Sequence, residues 1–469
     1  MSRWLCALPA MLLCSLAIAA EKDVPLPKDL PAYGRNVLFT PPPVVQKRIA
    51  NGLTLWLAPV KGFPKVTFEL AVKGGFAADP QDRSGIAQLV ASALLEGTKT
   101  LSAKQVAETI QGCGGDLNAD ASADTISIRT SVLSEKAEAA LGVLSDIAQN
   151  AAFPDDEVKI VKQNAASQLE SDEAEPRFLA RRAFRRAVFG SHPYSVISPT
   201  EKTIQQTTTA ELKREFARRF RPGQAALIAI GDFDPEQLQT AIEKDFGNWR
   251  GSGEGIAGTE APAGSITKTV IYVPRPNSVQ TTFFIGGLAP NLPAPDHEAA
   301  ELANAVYGGM FGSRLIRNIR EDKGYTYSPY SYVSSFYAAG LLVTQADVRN
   351  EVTGPSFNEI SYELNRLATT APDHDELERA KRYSIGSMTI FLQAQSRLAG
   401  TLSEYWVDGL KPEDLAREGE KLDRTSEADV QAAGEKYFPM SRMTVVAVGD
   451  ENVIRKQLAP FGLELSKAP

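Results

Sequence analysis

Three histidines, His192, His297 and His374, are the residues of this 469-residue chain best able to bind a metal or move a proton near neutral pH. They lie far apart, without the HxxxH or HxxEH spacing that sets two imidazoles on one helical face, so they do not suggest a zinc site. His192, in GSHPY, reads as a hydrogen-bonded turn residue. No Ser/His/Asp, Cys/His or paired-carboxylate pattern stands out. Gly308–Arg314, GGMFGSR, is rich in glycine but lacks the GK[ST] ending of a phosphate-binding loop, which argues against nucleotide chemistry. The basic run Arg177–Arg186 follows Glu170, Asp172, Glu173 and Glu175, and reads as a solvated helix laced with ion pairs. Asp120 and Asp124 have no motif around them.

The most informative stretch is Gly85–Thr98, GIAQLVASALLEGT. Ile86, Leu89, Val90, Ala93 and Leu94 share one helical face, with Ser84 placed as N-cap and Gly97 as the residue after the last turn. Its wording resembles the metal-binding helix of the pitrilysin, insulinase and mitochondrial processing peptidase family, GxAHFLEHMxFxGT. That helix carries an inverted zinc motif, HxxEH, in which two histidines hold zinc and the glutamate activates the metal-bound water. Here the first histidine position is Gln88, the glutamate is Ala91 and the second histidine is Ser92. Glutamine is a weak oxygen ligand, alanine accepts no proton and a serine hydroxyl is a poor zinc ligand. The family's third ligand, a glutamate on a later helix, maps to Gln168, with Glu170 two residues on and Glu175 near. The resemblance implies a degenerate site and no metal in this chain.

A second stretch, Ser313–Ser328, reads SRLIRNIREDKGYTYS and resembles the family's C-terminal-domain signature SRLfxxLRexxGlaYs. In the family the arginine and tyrosine of that signature bind the substrate backbone near the scissile bond; they map to Arg320 and Tyr327. A fixed guanidinium can hold a peptide carbonyl and a phenol can donate to the same oxygen. The plainer reading is a helix-end arginine favoured by the dipole and a packing tyrosine, and the surrounding SRL, RE and Gly letters favour the functional one. Leu315, Ile316 and Ile319 are expected to bury the helix's other face, Gly324 to end it, and Tyr325–Tyr327 to enter a strand. The family's non-catalytic processing-peptidase subunit carries a glycine-rich substrate-engaging loop near Gly308–Arg314, longer than the segment here.

These residues need a scaffold, and the pattern is α+β. Asn51–Gly52 reads as a hairpin turn before strands at Leu53–Pro59 and Val66–Lys73. Helices are expected at Ser102–Gln111, Ala137–Asn150, Glu211–Phe220 and, unbroken, from Asp155 to about Val188, with strands at Thr125–Thr130 and Ala225–Gly231. AALIAIGDFD at Ala225–Asp234 recurs as MTVVAVGDEN at Met443–Asn452, each after a helix closing on an aromatic residue and a proline turn, as in duplicated domains. The expected layout is a signal peptide at 1–20, a proline-rich extended arm at 21–50, a peptidase-like domain at 51–250, a linker at 251–265 and a second such domain at 266–469. The resemblance implies two homologous halves, each a mostly antiparallel sheet covered by helices, facing each other as a clam shell.

Composition sets the remaining bounds. The chain is 43% hydrophobic and 23% charged with a net charge of −7, which argues against nucleic acid or an anionic membrane as main partner. Arg3, an apolar run from Leu5 to Ile18 and small residues before Glu21 form a secretory leader, too short for a comfortable span. The mature protein is expected to be exported, and periplasmic in a Gram-negative source. Cys6 and Cys14 leave with the leader, so Cys113 has no partner for a disulfide. The family resemblance implies a non-catalytic subunit of a heterodimeric zinc metallopeptidase. Its partner is a homologous HxxEH-bearing subunit that supplies the zinc, and its substrate an unfolded or short peptide. The alternative is a structural or peptide-binding protein of the same fold with no role in proteolysis.

Overall fold

The computed structural model describes residues 33–251, 255–263 and 269–468. The leader, Cys6 and Cys14, residues 21–32 of the arm and part of the linker lie outside the described residues. Val37–Pro469 forms one compact unit, and all that follows concerns it.

Among the described residues twelve strands make two six-stranded sheets. The first holds β1 (Val45–Arg48), β2 (Thr54–Pro59), β3 (Lys65–Lys73), β4 (Leu117–Ala121), β5 (Thr125–Leu133) and β6 (Ala225–Gly231), in spatial order β1-β2-β6-β3-β5-β4. The second holds β7 (Val270–Pro274), β8 (Gln280–Ala289), β9 (Tyr330–Phe336), β10 (Ala339–Arg349), β11 (Thr444–Gly449) and β12 (Leu465–Lys467), in order β12-β7-β11-β8-β10-β9. From β2 to β6 and from β7 to β11 the two orders are the same, so the repeat read from the two VGD-like strands is a repeat of topology. Both sheets are mixed: β2 runs parallel to β6, and β7 parallel to β11 and β12. The sixth strand comes from opposite chain ends. β1 lies in the expected arm yet pairs with β2 from Val45↔Leu57 to Arg48↔Thr54, so the sheet begins before Asn51.

The helices, in chain order, are α1 (Ile86–Ala93), α2 (Ala103–Gly112), α3 (Ala137–Asn150), α4 (Asp155–Ala174), α5 (Pro176–Phe189), α6 (Glu201–Gln206), α7 (Thr209–Arg219) and α8 (Pro235–Phe246) in the first half. The second half has α9 (His297–Asn304), α10 (Arg314–Ile316), α11 (Thr353–Thr369), α12 (His374–Leu392), α13 (Gln395–Val407), α14 (Pro412–Arg424), α15 (Glu427–Tyr437) and α16 (Glu451–Leu458). The expected single helix to Val188 breaks at Glu175, held in an extended conformation by the proline that follows it and opens α5. Among the described residues no helix is long and apolar enough to cross a membrane. Cys113 is a buried free thiol.

Each sheet packs its own helices on one face. The other face is covered by a helix from the opposite half. Leu398, Ala399 and Leu402 of α13 pack on Trp56, Ala71, Ile228 and Ile230 of the first sheet. Reciprocally, Ala180, Phe184 and Val188 of α5 pack on Phe284, Val343, Val446 and Val448 of the second. The basic run is therefore solvated on one side only: Arg177, Arg181 and Arg186 are exposed, and the apolar side is an interface. Arg182 pairs with Glu173 as the charge pattern suggests, but Arg177 reaches Asp347 in the other half at 2.7 Å and Arg185 lies 4.5 Å from the Phe336 ring centroid.

Fully buried Phe184 is the anchor of α5 and Leu402 an anchor of α13, so truncating either opens a cavity worth about 3–5 kcal/mol. Phe184→Ala and Leu402→Ala should each lower the urea midpoint of the whole protein in one transition. Two separated transitions would show that the halves fold independently.

Candidate functional site

At the position of the degenerate motif, α1 starts differently from the expectation. Ser84 does not cap it: the cap residue is Gly85, and the carboxylate of Asp79 accepts from Gly85 N at 2.6 Å and Ala87 N at 3.2 Å. Gly85 has φ +88°, and a Cβ there would lie 2.2 Å from Pro199 Cα, so both conformation and space demand glycine. Arg219, fully buried on α7, holds Asp79 from the other side at 2.7 Å and also pairs with Glu215. Burial pushes the Asp79 carboxyl up to about 7, against the pull of Arg219 and of the two backbone N–H groups. The helix ends at Ala93, and Gly97 serves a left-handed turn that bridges to Ser102.

The side chains on α1 do not fit a zinc ion. Gln88 spends its carbonyl on the N–H of Ala121 in β4 at 3.4 Å, Ala91 is buried and carries no donor, and Ser92 offers only a hydroxyl. Gln168 is exposed on α4, where its amide donates to Asp172 at 2.9 Å, and Glu170 is exposed beside it. Among the described residues no three His, Cys, Asp or Glu side chains gather closely enough to hold a metal. His192 accepts from Tyr194 N at 3.2 Å and meets the Glu260 carbonyl at 2.9 Å, as a turn residue does. His374 stands against Glu427 at 3.3 Å.

Arg320 and Tyr327 are brought together. Ser313 caps α10, and the helix continues through Arg317–Asp322 in wide π turns. Arg314 anchors it with paired bonds of 2.9 and 2.6 Å to Glu376 of α12, and Asn318 donates to Glu359 and Glu363 of α11. Leu315, Ile316 and Ile319 are buried as expected, and Gly324 ends the helix at φ +60°. Tyr327 does not enter a strand. Pro329 has no N–H to give a ladder, so β9 begins at Tyr330 and Tyr327 stays in the loop, 81% exposed. The Arg320 guanidinium lies 4.7 Å from the centroids of both Tyr327 and Phe311, which is 61% exposed. Two aromatic faces thus hold a partly buried cation at the protein surface. Phe311 comes from the glycine-rich segment, whose Gly308 and Gly309 lie in a second π turn, Ala305–Gly309.

Sequence reasoning missed a polar cluster between the halves. The β4–β5 turn meets the β9–β10 turn at Asp124, which accepts from the Tyr194 hydroxyl at 2.9 Å and from Tyr337 N at 3.0 Å. Tyr194 in turn accepts from Ala338 N at 3.0 Å. Lys73 donates to the Val407 carbonyl at 3.3 Å and lies over the Trp406 ring. Burial, then the charges of Asp124 and Glu404, push Asp408 up to about 7, while Lys73 opposes them. Burial also raises Asp124 and lowers Lys73. No local signal could have found the cluster, because its members lie on five separate segments of the chain.

Two outcomes follow. Asp79→Ala leaves two buried N–H groups without an acceptor and should reduce the unfolding free energy by about 2–4 kcal/mol in urea titration. Asp408 has a folded pKa raised from 3.8 to about 7, so its stabilisation is complete below 3.8 and lost as pH rises through 7. Asp408→Asn should therefore raise the melting temperature more at pH 8 than at pH 5; an equal shift at both would contradict this ionisation.

Comparison with known proteins agrees with this architecture. Residues 61–197 match the family described as Insulinase (Peptidase family M16), and residues 207–383 match the Peptidase M16 inactive domain. A Rickettsia bellii protein described as an uncharacterized zinc protease is 25% identical over 414 residues, 87% of this chain and 97% of that one. The Helicobacter pylori non-peptidase homolog YmxG is 24% identical over 359 residues, 74% of this chain and 80% of its own. The crystal structure of a peptidase M16 inactive domain from Pseudomonas fluorescens superposes with a TM-score of 0.82 at 24% identity, covering 87% of this chain and 98% of that one. The first match lies within the first half of the fold and the second runs from α7 of that half into α12 of the other, so that together they span most of the chain, and this chain belongs to peptidase family M16.

Proposed function

We propose that this chain is an exported, non-catalytic subunit of a heterodimeric zinc metallopeptidase, binding an unfolded or short peptide beside the zinc of an HxxEH-bearing partner. The observation that carries the reading is a division of labour. Gln88, Ala91 and Ser92 provide no zinc donor set, whereas Arg320 stands on an exposed surface, held between Phe311 and Tyr327. That cation is fixed by aromatic faces on one side of an anchored helix, leaving N–H groups free in geometry to take a peptide carbonyl. The Helicobacter pylori relative described as a non-peptidase homolog supports the loss of catalysis in chains of this type.

The purified chain is expected to bind no stoichiometric zinc and to cleave nothing until mixed with its partner. Zinc-dependent proteolysis by the chain alone would overturn the reading. In the assembled enzyme, Arg320→Ala should lower kcat/KM by about tenfold to a hundredfold and Tyr327→Phe by less, with the dimer intact by size-exclusion chromatography. Unchanged kinetics in both would remove these residues from the site.

A further inference from the structure

The second sheet has its own version of the corner that α1, edge strand β4 and α4 form in the first. There α9, edge strand β9 and α12 meet, and with α13 and α14 they enclose a cavity of about 590 Å³. Its size falls in the range of small-ligand sites, roughly 300–1,000 Å³. In the first half this corner carries Gln88, Ala91 and Ser92.

The charge in its wall is one-sided. Glu301, Glu404 and Glu418 line the cavity, and no lysine or arginine does among the described residues. The cations that oppose them are engaged outside the wall, Lys421 with Glu298 at 2.7 Å and Arg129 with Glu69 at 2.9 Å. Glu418 accepts from Tyr405, which fixes its direction. Crowding of carboxylates has a visible effect: burial first, then Glu301, Glu298 and Glu404, hold the Glu418 carboxyl at about 8. A second and independent feature is His297. It is 4% exposed, lines the cavity, and its Nδ1 has no hydrogen-bond partner, while Nε2 stands 3.7 Å from Glu301. An unpaired nitrogen on a buried side chain leaves a polar demand that the protein itself does not meet.

The remaining wall decides which cation suits. The rings of Tyr330, Tyr383 and Phe391 line it, Phe391 already holding the Arg397 guanidinium at 5.0 Å and Tyr330 stacked on Tyr332, and no three metal-ligating side chains converge among the described residues. A bare metal ion needs convergent oxygens or nitrogens, whereas an organic cation gains from carboxylates and aromatic faces together.

We propose that the cavity bounded by α9, β9 and α12–α14 binds an organic cation, the ammonium or guanidinium of a peptide side chain or of a free amine, against Glu301, Glu404 and Glu418. This site is separate from Arg320 and does not rest on the partner reading, since it belongs to the isolated chain.

The test is calorimetric titration of the full chain at pH 8.5, where Glu418 is largely ionised, with three probes: an N-acetyl-Gly-Gly-Arg-Gly-Gly amide, its citrulline counterpart and spermidine. The arginine peptide or spermidine should bind and the citrulline peptide should not. Glu404→Gln and Glu418→Gln, nearly isosteric changes, should each weaken binding by about tenfold with an unchanged or raised melting temperature. Arg320→Ala should leave binding unaltered. Binding of the arginine peptide without spermidine assigns the cavity to peptide side chains, and the reverse to free polyamines. Equal binding of the citrulline peptide, no binding of either cation, or affinity indifferent to both glutamine variants would overturn the proposal. Loss of partner-dependent proteolysis in Arg320→Ala alongside intact cation binding would show that the two sites fail separately.

Discussion

The reciprocal exchange of α5 and α13 is the constraint on which the rest of the molecule depends. A sheet with one helical layer leaves its second face open to water, and here that face carries Trp56, Ile228 and Ile230 in one half and Phe284, Val446 and Val448 in the other. Burying a side chain of this size contributes about 1.5–3 kcal/mol, so neither half can leave its face bare without a large loss. Each half meets the need of the other. Two repeats that could have been separate domains thereby become one compact unit.

That exchange also places the polar groups. With α5 and α13 seated, the β4–β5 and β9–β10 turns are driven against each other, and Asp124, Tyr194 and Tyr337 close the seam with directional bonds. Asp408 and Lys73 become half-buried in the same operation, and desolvation is the first cause of the shift in each. The ionisable seam is a consequence of interlocking, and it ties the stability of both halves to pH.

The functional contrast between the halves follows from what stands at matching corners. In the first, α1 keeps its fold through the Asp79 cap and the glycine at position 85, while Gln88 is turned to a backbone N–H of the edge strand. In the second, the helix is widened by π turns on both sides of Ser313, which brings Phe311 and Arg320 to one place on the surface. Widened turns shift the phase of a helix, so a side chain can leave the apolar face without breaking the element. The helix that resembles a metal site is therefore a packing element, and the exposed Phe311–Arg320–Tyr327 cluster lies in the other half.

Much was determined by sequence alone. Local periodicity located α3 at Ala137–Asn150 and β6 at Ala225–Gly231 without error in their ends, because both are long or wholly apolar runs bounded by turn residues. The letters of Gly85–Thr98 and Ser313–Ser328 were enough to assign the family and to name Gln88, Ala91, Ser92, Arg320 and Tyr327. Tertiary structure decided whatever depended on partners distant in the chain. Asp79 rather than Ser84 caps α1, because Arg219, on a helix far along the chain, holds that carboxylate in place. The basic run of α5 is an interface as well as a solvated face, because its apolar residues meet a sheet that begins beyond residue 269. Phe311 joins Arg320, and Asp124 joins Tyr337, through contacts that no window of sequence contains. Periodicity reports which side of an element is apolar; only the assembled fold supplies the surface that side is pressed against, and with it the charge that each buried group must bear.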